Sequence, residues 1–288
     1  MLKPFKDRYE SMRALVETAL AFTVTHADRI QSLRRAAREE GRTRAQWPVR
    51  WKLDQANPSS FRFRGYEAKY KKSAIGDYTR LYYDRSSPWE RDIAWYDSFP
   101  VDVSVPAPQA YVVPQQWREA IERLQMNGVQ MERVQADRVQ QVAYYQVLAV
   151  GSRAGAYEGH MFHDEVALDR RIGEVQLRAG DYIVPLDQDR ARYAVETLEP
   201  LAHDSFFRWG FFNSVLEKKE HYSDYVFEDT AEALLREEPA LAAKFAQWKA
   251  ENPGLLASQE AVLDFIYANC ERYREPEWNR YPVFMIER

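Results

Sequence analysis

The sequence has few of the residues that carry redox or metal chemistry. Its 288 residues include one cysteine, Cys270, and five histidines. A single cysteine excludes any disulfide within the chain. Cys270 stands among apolar neighbours, which predicts a place in the core rather than a reactive thiol.

Long apolar runs are also missing. No stretch approaches the roughly 18 residues that a membrane-spanning helix needs. Charged residues at Lys3, Lys6, Asp7 and Arg8 interrupt the place where a signal peptide would need an apolar segment. We therefore expect no membrane partner for this chain, although a longer parent with a signal upstream of Met1 would still be exported to the periplasm or secreted.

A strong charge of one sign is missing too, because the formal net charge is only −4. Between residues 29 and 72, arginine and lysine are interleaved with aromatic residues, a combination that can bind nucleic acid. A solvated helix face followed by strands with outward cations explains the same stretch. We prefer that explanation and expect no nucleic-acid partner.

Several catalytic motifs are absent. The sequence contains no Gly-x-Ser-x-Gly, no Gly-x-Gly-x-x-Gly and no His-x-x-Glu. The remaining candidates for a metal site are His160 and His163, which lie beside Asp164 and Glu165. Such a site would support metal-dependent hydrolysis. A polar hairpin tip explains the same residues, and we prefer it. We predict no catalytic residue, no metal and no other cofactor in this chain.

The N-terminal third predicts one long helix and then an aromatic-rich β segment. Residues 8–40 keep the helical spacing of a buried stripe, and Gly41 is the expected stop. The stripe includes Met12, Leu15, Val16, Ala19 and Leu20. Residues 43–105 are crowded with aromatics at alternating positions, which is typical of strands. The alternation shifts after Gly65, which predicts a β-bulge there.

The remainder predicts an α/β sandwich. Residues 110–134 and 181–205 look like two copies of a unit in which a buried strand ends at a proline and a helix follows. Further elements are expected as strands at Val101–Val105, Val139–Leu148, Gly173–Leu177 and Tyr281–Ile286 and as helices at Leu234–Trp248 and Ser258–Tyr273, the last with Ser258 as N-cap. The fold class is therefore mixed α/β, of the α+β type.

Three stretches carry a resemblance to a known family. They are the start of the chain with its long helix, residues 110–134, and residues 177–217. The third includes an Ala-Gly turn, Tyr182–Pro185, Leu198-Glu199-Pro200 and Trp209-Gly210-Phe211-Phe212. Together they resemble the C-terminal portion of bacterial zinc carboxypeptidases of peptidase family M14.

The resemblance implies a division of the chain and a parent protein. Residues 1–42 would be the terminal helix of a truncated catalytic domain, and residues 43–288 an accessory α/β domain with a sub-boundary near 106–109. The intact parent would use zinc to remove C-terminal amino acids from peptides. Because the family's His-x-x-Glu is absent and the catalytic glutamate would lie upstream of Met1, this chain alone is expected to be inactive.

Two functions from different classes follow from these observations. In the first, the chain is the non-catalytic C-terminal region of a metallocarboxypeptidase, and its partners are the missing catalytic domain and a peptide substrate. In the second, it is a stand-alone module whose aromatic strands bind a peptide or a glycan. The stripe of the first helix discriminates between them, because a missing catalytic domain would leave it bare.

Overall fold

The computed structural model describes most of the chain, namely residues 4–217, 221–273 and 277–288. Its architecture is α+β, with helices and antiparallel sheets. Two compact units are present, one formed by Met1–Ala45 with Ala107–Arg288 and the other by Gln46–Pro106. Within the described residues, no helix has both the length and the apolar character needed to cross a membrane.

The N-terminal segment forms two helices, α1 (Phe5–Thr25) and α2 (Ala27–Thr43). The prediction of one helix over residues 8–40 is therefore wrong at His26, where α1 ends. Just before this break, the hydroxyls of Thr23 and Thr25 donate to backbone carbonyls four residues earlier, at 2.8 and 3.0 Å. Bonds of this kind compete with the helical ladder and bend helices.

Helix α2 continues past Gly41, where a stop was expected, and is anchored at its C-terminal end. Arg42 reaches the carboxylate of Asp189 at 3.0 Å, and Arg38 lies 3.5 Å from the same group. The shared ion pair holds the pKa of Asp189 below its usual range, chiefly through the hydrogen bond from Arg42. This end of α2 is thus attached to the rest of its unit.

The Gln46–Pro106 unit consists of four strands: β1 (Gln46–Trp51), β2 (Ser59–Lys72), β3 (Thr79–Trp95) and β4 (Val101–Pro106). Strands β1 and β4 pair antiparallel, and β2 and β3 form a separate long hairpin between them in sequence. The predicted strand at Val101–Val105 is confirmed.

The bulge predicted next to Gly65 is confirmed by a register shift between Tyr66 and Glu67, but its additional residues lie on β3. Tyr66 pairs with Pro88 and Glu67 pairs with Asp84, which leaves three additional residues on β3. Every residue of β2 has a partner, so its side chains keep alternating. The aromatic residues therefore change faces along the hairpin, from one face at Phe63 to the other at Tyr66.

Gly65 is required because an indole ring lies directly above it. A Cβ atom at this position would stand 2.6 Å from Cζ2 of Trp89. The ring of Trp89 also contacts Phe63, with centroids 5.5 Å apart, and the guanidinium of Arg91 lies 4.0 Å from its centre. A glycine covered by a cross-strand aromatic ring is a known way to hold register in a sheet.

We expect Gly65→Val to destabilise the Gln46–Pro106 unit by about 1–3 kcal/mol, because the branched side chain must displace the Trp89 ring. Tryptophan fluorescence during denaturant unfolding measures the loss. Ala68→Val is the control, since Ala68 is exposed on the same strand. Equal stability of the two variants would contradict this account of Gly65.

The larger unit is built around a six-stranded sheet. Its further elements are β5 (Ala110–Val113), α3 (Arg118–Met126), β6 (Glu132–Arg133), β7 (Arg138–Ser152), β8 (His163–Leu177), β9 (Tyr182–Pro185), α4 (Ala191–Leu198), α5 (Asp224–Glu237), α6 (Pro239–Glu251), α7 (Gln259–Asn269) and β10 (Phe284–Ile286). The strand order is β6-β9-β5-β10-β7-β8, and every pair is antiparallel. Both predicted strand–helix units are confirmed, as β5 with α3 and β9 with α4.

The core of this unit has a sheet part and a helical part. On the sheet, the buried residues include Val112, Val142 and Leu177. The helical part joins α5, α6 and α7 and includes Cys270, which is buried at the C-terminal end of α7. Burial raises the pKa of the Cys270 thiol. Its predicted place in the core is confirmed.

The predicted helix over Leu234–Trp248 is wrong, because two helices share this stretch. α5 ends at Glu237, and Pro239 occupies the first position of α6. A proline is well tolerated at the start of a helix. In a helix interior it interrupts the hydrogen bonding, because it has no backbone N–H to donate. The predicted cap at Ser258 is confirmed, since its hydroxyl accepts from the Ala261 N–H at 3.2 Å.

Candidate functional site

The two predicted metal candidates lie at the tip of the β7–β8 hairpin but have separate surroundings. His163 begins β8 and is buried. Its Nε2 donates to Oδ1 of Asn213, and the Ser152 hydroxyl donates to its Nδ1, both at 2.7 Å. Both ring nitrogens of His163 are thus occupied by hydrogen bonds, and a metal would have to displace one of them.

His160 packs into an aromatic cluster instead. Its Nδ1 donates to the carbonyl of Trp209 at 3.0 Å, and its ring stacks on Phe211 with only 4° between the planes. In the part of the chain that the structure describes, no three His, Cys, Asp or Glu side chains form a group that could hold a metal ion. Both histidines therefore make contacts that hold the tip of the β7–β8 hairpin in place.

Ser152, His163 and Asn213 nevertheless form a hydrogen-bonded line from a hydroxyl through an imidazole to an amide. A nucleophile, a base and an orienting group are arranged in this way in acyl-transfer enzymes. Here the line joins both strands of the hairpin to the segment after α4. Arg208 reinforces the same connection, because its Nη1 donates to the carbonyls of His163 and Asp164 at 3.1 and 2.8 Å.

A groove opens beside this connection and is called the Trp209 groove below. Its volume is about 430 Å³. One wall is formed by residues 116–120, which lead into α3, and the other contains His160 and residues 209–211. Gly210 has a φ of +79°, so the chain turns sharply between Trp209 and Phe211.

The Trp209 groove combines a fixed indole with exposed polar groups. Trp209 is half-buried and is in edge contact with Phe162, with centroids 5.0 Å apart. Its Nε1 donates to Asp204. On the facing wall, Gln116, Arg118 and Glu119 are exposed. The groove therefore offers one aromatic surface and a row of donors and acceptors.

A buried carboxylate lies elsewhere in the unit, at Glu199. The hydroxyl of Tyr111 donates to Oε1 at 2.7 Å and that of Tyr145 donates to Oε2 at 3.2 Å. Tyr281 donates to the neighbouring carbonyl of Leu198 at 2.6 Å. Burial raises the pKa of Glu199 to about 7, while the two tyrosine hydrogen bonds oppose that rise.

The sequence pattern did not identify Glu199 as a buried group. It lies in Leu198-Glu199-Pro200, where apolar residues surround a single acid directly after a helix. That local context is the signal available from sequence. In the structure the carboxylate joins β5, β7 and the end of α4, which makes it a structural group shielded from solvent.

The aromatic residues of the β2–β3 hairpin form the remaining candidate surface. Phe61 contacts Trp95 at 5.2 Å between ring centroids and Phe63 at 6.5 Å, and Phe63 contacts Trp89. Phe61, Phe63 and Trp95 are each more than 40% exposed. These aromatic residues are therefore not packed in a core and form an exposed ridge.

Helix α1 is the other exposed apolar feature, and it contains no buried residue. Phe5, Tyr9, Met12, Val16 and Leu20 follow one face at helical spacing. Their exposed fractions run from 49% to 76%. Contiguous apolar surface of this kind marks an interaction site on a folded protein.

Comparison with known proteins identifies one kind of relative. No family model and no solved structure matches the chain. Part of the chain is similar to proteins named Carboxypeptidase 2 from Trichophyton tonsurans and Trichophyton equinum. In each case 105 aligned residues are 30% identical and cover 36% of this chain. The chain spans only about a fifth of these relatives' length, 19%, and contains a carboxypeptidase-related region.

Proposed function

We propose that this chain is the non-catalytic C-terminal region of a metallocarboxypeptidase of the M14 type, and that the catalytic domain of the parent covers the apolar face of α1. The observation that carries the proposal is the exposure of that face over the whole helix. The similarity to Carboxypeptidase 2 supports the same class of parent.

The physical argument concerns the stability of α1. Most helical stability in proteins comes from packing an amphipathic face rather than from intrinsic propensity. On the apolar face of α1, Met12 is 60% exposed and Leu20 is 62% exposed. Each side chain of this size gains about 1.5–3 kcal/mol on full burial. A partner surface that buries several of them would hold α1 firmly in the parent.

The chemistry of the parent would lie outside this chain. Family M14 holds zinc with a His-x-x-Glu pair and a later histidine, and the sequence contains no such pair. Zinc, the general base and the peptide substrate are therefore assigned to the catalytic domain. There, zinc would activate the water that attacks the peptide bond. In this proposal, the present chain contributes no group to that step.

We expect the purified chain to release no C-terminal amino acid from an N-blocked dipeptide, with or without added zinc. Free amino acid is measured by mass spectrometry, and a zinc carboxypeptidase of known activity is the positive control. Hydrolysis that a chelator removes would overturn the proposal. A parallel test reads the DNA upstream of Met1, where an open frame encoding Glu-Thr-His and, further back, His-x-x-Glu is expected.

The second candidate function is a stand-alone module that binds a peptide or a glycan through its aromatic strands. The exposed ridge of Phe61, Phe63, Trp89 and Trp95 favours it. The bare face of α1 favours the first candidate, because a self-contained module would cover that face with its own strands. A stop codon or unrelated sequence immediately upstream of Met1 would make the stand-alone module the leading function.

A further inference from the structure

The Trp209 groove has an aromatic wall that ring contacts and one hydrogen bond hold in place. The ring of Phe211 lies parallel to that of His160, with centroids 6.1 Å apart, and the guanidinium of Arg123 lies 4.5 Å from its centre. Trp209 is held by ring contacts to Tyr157, His160 and Phe162 and by the bond from Nε1 to Asp204. The indole is thus fixed in place while it lines the groove.

The opposite wall presents hydrogen-bonding groups of every kind. Gln116 supplies an amide with both donors and acceptors, Arg118 supplies only donors, and Glu119 supplies only acceptors. Arg118 and Glu119 line the groove with opposite formal charges, so together these two side chains add no net charge to its lining. Glu119 also lies 3.8 Å from Arg123, but exposed pairs of this kind are weak and rearrange readily.

The two walls together match the chemistry of a sugar ring. One side of a pyranose presents C–H groups, which pack on the face of an aromatic ring. Its edge carries adjacent hydroxyls, each of which both donates and accepts. The groove volume of about 430 Å³ lies within the range of small-molecule sites. A neutral ligand with these properties satisfies the wall without leaving an unpaired charge.

We propose that the Trp209 groove binds a pyranose residue of an uncharged glycan, with its C–H face on Trp209 and its hydroxyls on Gln116, Arg118 and Glu119. This site is distinct from the aromatic ridge of the β2–β3 hairpin. The proposal does not depend on the assignment to a carboxypeptidase, because every residue of the groove lies within this chain, in the unit that contains Ala107–Arg288.

Isothermal titration calorimetry of the full chain with cellotetraose, maltotetraose and chitotetraose tests the proposal. We expect at least one sugar to bind, and Trp209→Leu to weaken that binding by about tenfold or more through loss of stacking. Trp89→Leu is the matched control, since Trp89 is a half-buried tryptophan of the hairpin ridge. It is expected to leave the affinity unchanged.

A second variant guards against misfolding of the Trp209 change. Gln116→Ala combined with Arg118→Ala removes two exposed side chains, so the melting temperature should stay constant while affinity falls by about tenfold. The proposal is overturned if none of the three sugars binds at about 10 mM, if binding survives both groove variants, or if only Trp89→Leu abolishes it. The last result would place the glycan on the hairpin.

Discussion

Replacing Met12 and Val16 by glutamate is expected to weaken the association of this chain with the catalytic domain of its proposed parent by about a hundredfold or more. Both residues lie at the centre of the apolar face of α1, one turn apart, and are 60% and 49% exposed. Burial of each contributes about 1.5–3 kcal/mol, and 1.4 kcal/mol corresponds to a factor of ten in affinity. Burying an unpaired carboxylate adds a further cost.

The same substitutions should leave the isolated chain folded. Met12 and Val16 make no buried contact, and glutamate has a good intrinsic helix propensity. Ala14→Glu with Ala21→Glu is the matched control, because these residues occupy the opposite face of α1 and are also exposed. Circular dichroism should give equal helix content for both double variants, while only the first loses the partner.

The measurement uses the catalytic domain that the proposal places upstream of Met1, produced as a separate chain and titrated with the variants by calorimetry. Equal affinity of the two double variants would show that the apolar face is not the contact. If the DNA upstream of Met1 encodes no such domain, the sequencing test already refutes the proposed parent. The two failures are thus distinguishable.

Elements with strong local signals could be predicted from the sequence. The strand at Tyr182–Pro185 ends where proline interrupts the ladder, and the cap at Ser258 follows from its hydroxyl and position. The helix breaks were missed for physical reasons that are also local. The threonine hydroxyls before His26 and the proline at 239 each affect a single helical turn. An apolar pattern read over a long stretch does not detect an interruption this short.

Features that depend on distant parts of the chain could not be predicted. The Trp209 groove needs residues 116–120 beside residues 209–211, and no local pattern encodes that distance. The change of faces in the β2–β3 hairpin depends on additional residues in β3, so β2 alone suggested a bulge in the wrong strand. His163 reads as a possible ligand until Ser152 and Asn213 are seen to occupy both nitrogens.

Glu199→Gln is expected to remove a large part of the pH dependence of stability. The pKa of Glu199 is about 7 in the folded protein against an ordinary value of 4.5. The folded protein therefore holds this proton more tightly than the unfolded chain does. The stability that results is fully present below about pH 4.5 and is lost as the pH rises through about 7, with a total near 3 kcal/mol.

Denaturant unfolding of the wild type and of Glu199→Gln at pH 4.5, 6 and 8 tests this expectation. The glutamine cannot ionise, so its free energy of unfolding relative to wild type should rise by about 3 kcal/mol between the lowest and highest pH. Other titrating groups are common to both proteins and cancel in the difference. Glu196→Gln is the control, because Glu196 is half-exposed on α4, the helix that Glu199 follows, and pairs with Arg192.

The tyrosines around Glu199 give the experiment a second, opposite test. Tyr145 donates to the carboxylate and so favours its ionised form. Tyr145→Phe removes that donor, and the pKa of Glu199 should rise further, which moves the loss of stability to higher pH. A flat difference between wild type and Glu199→Gln would mean that Glu199 ionises as easily in the folded chain as in water. Solvent would then reach the carboxylate, and the hydrogen bonds from Tyr111 and Tyr145 would not mark a site closed to water.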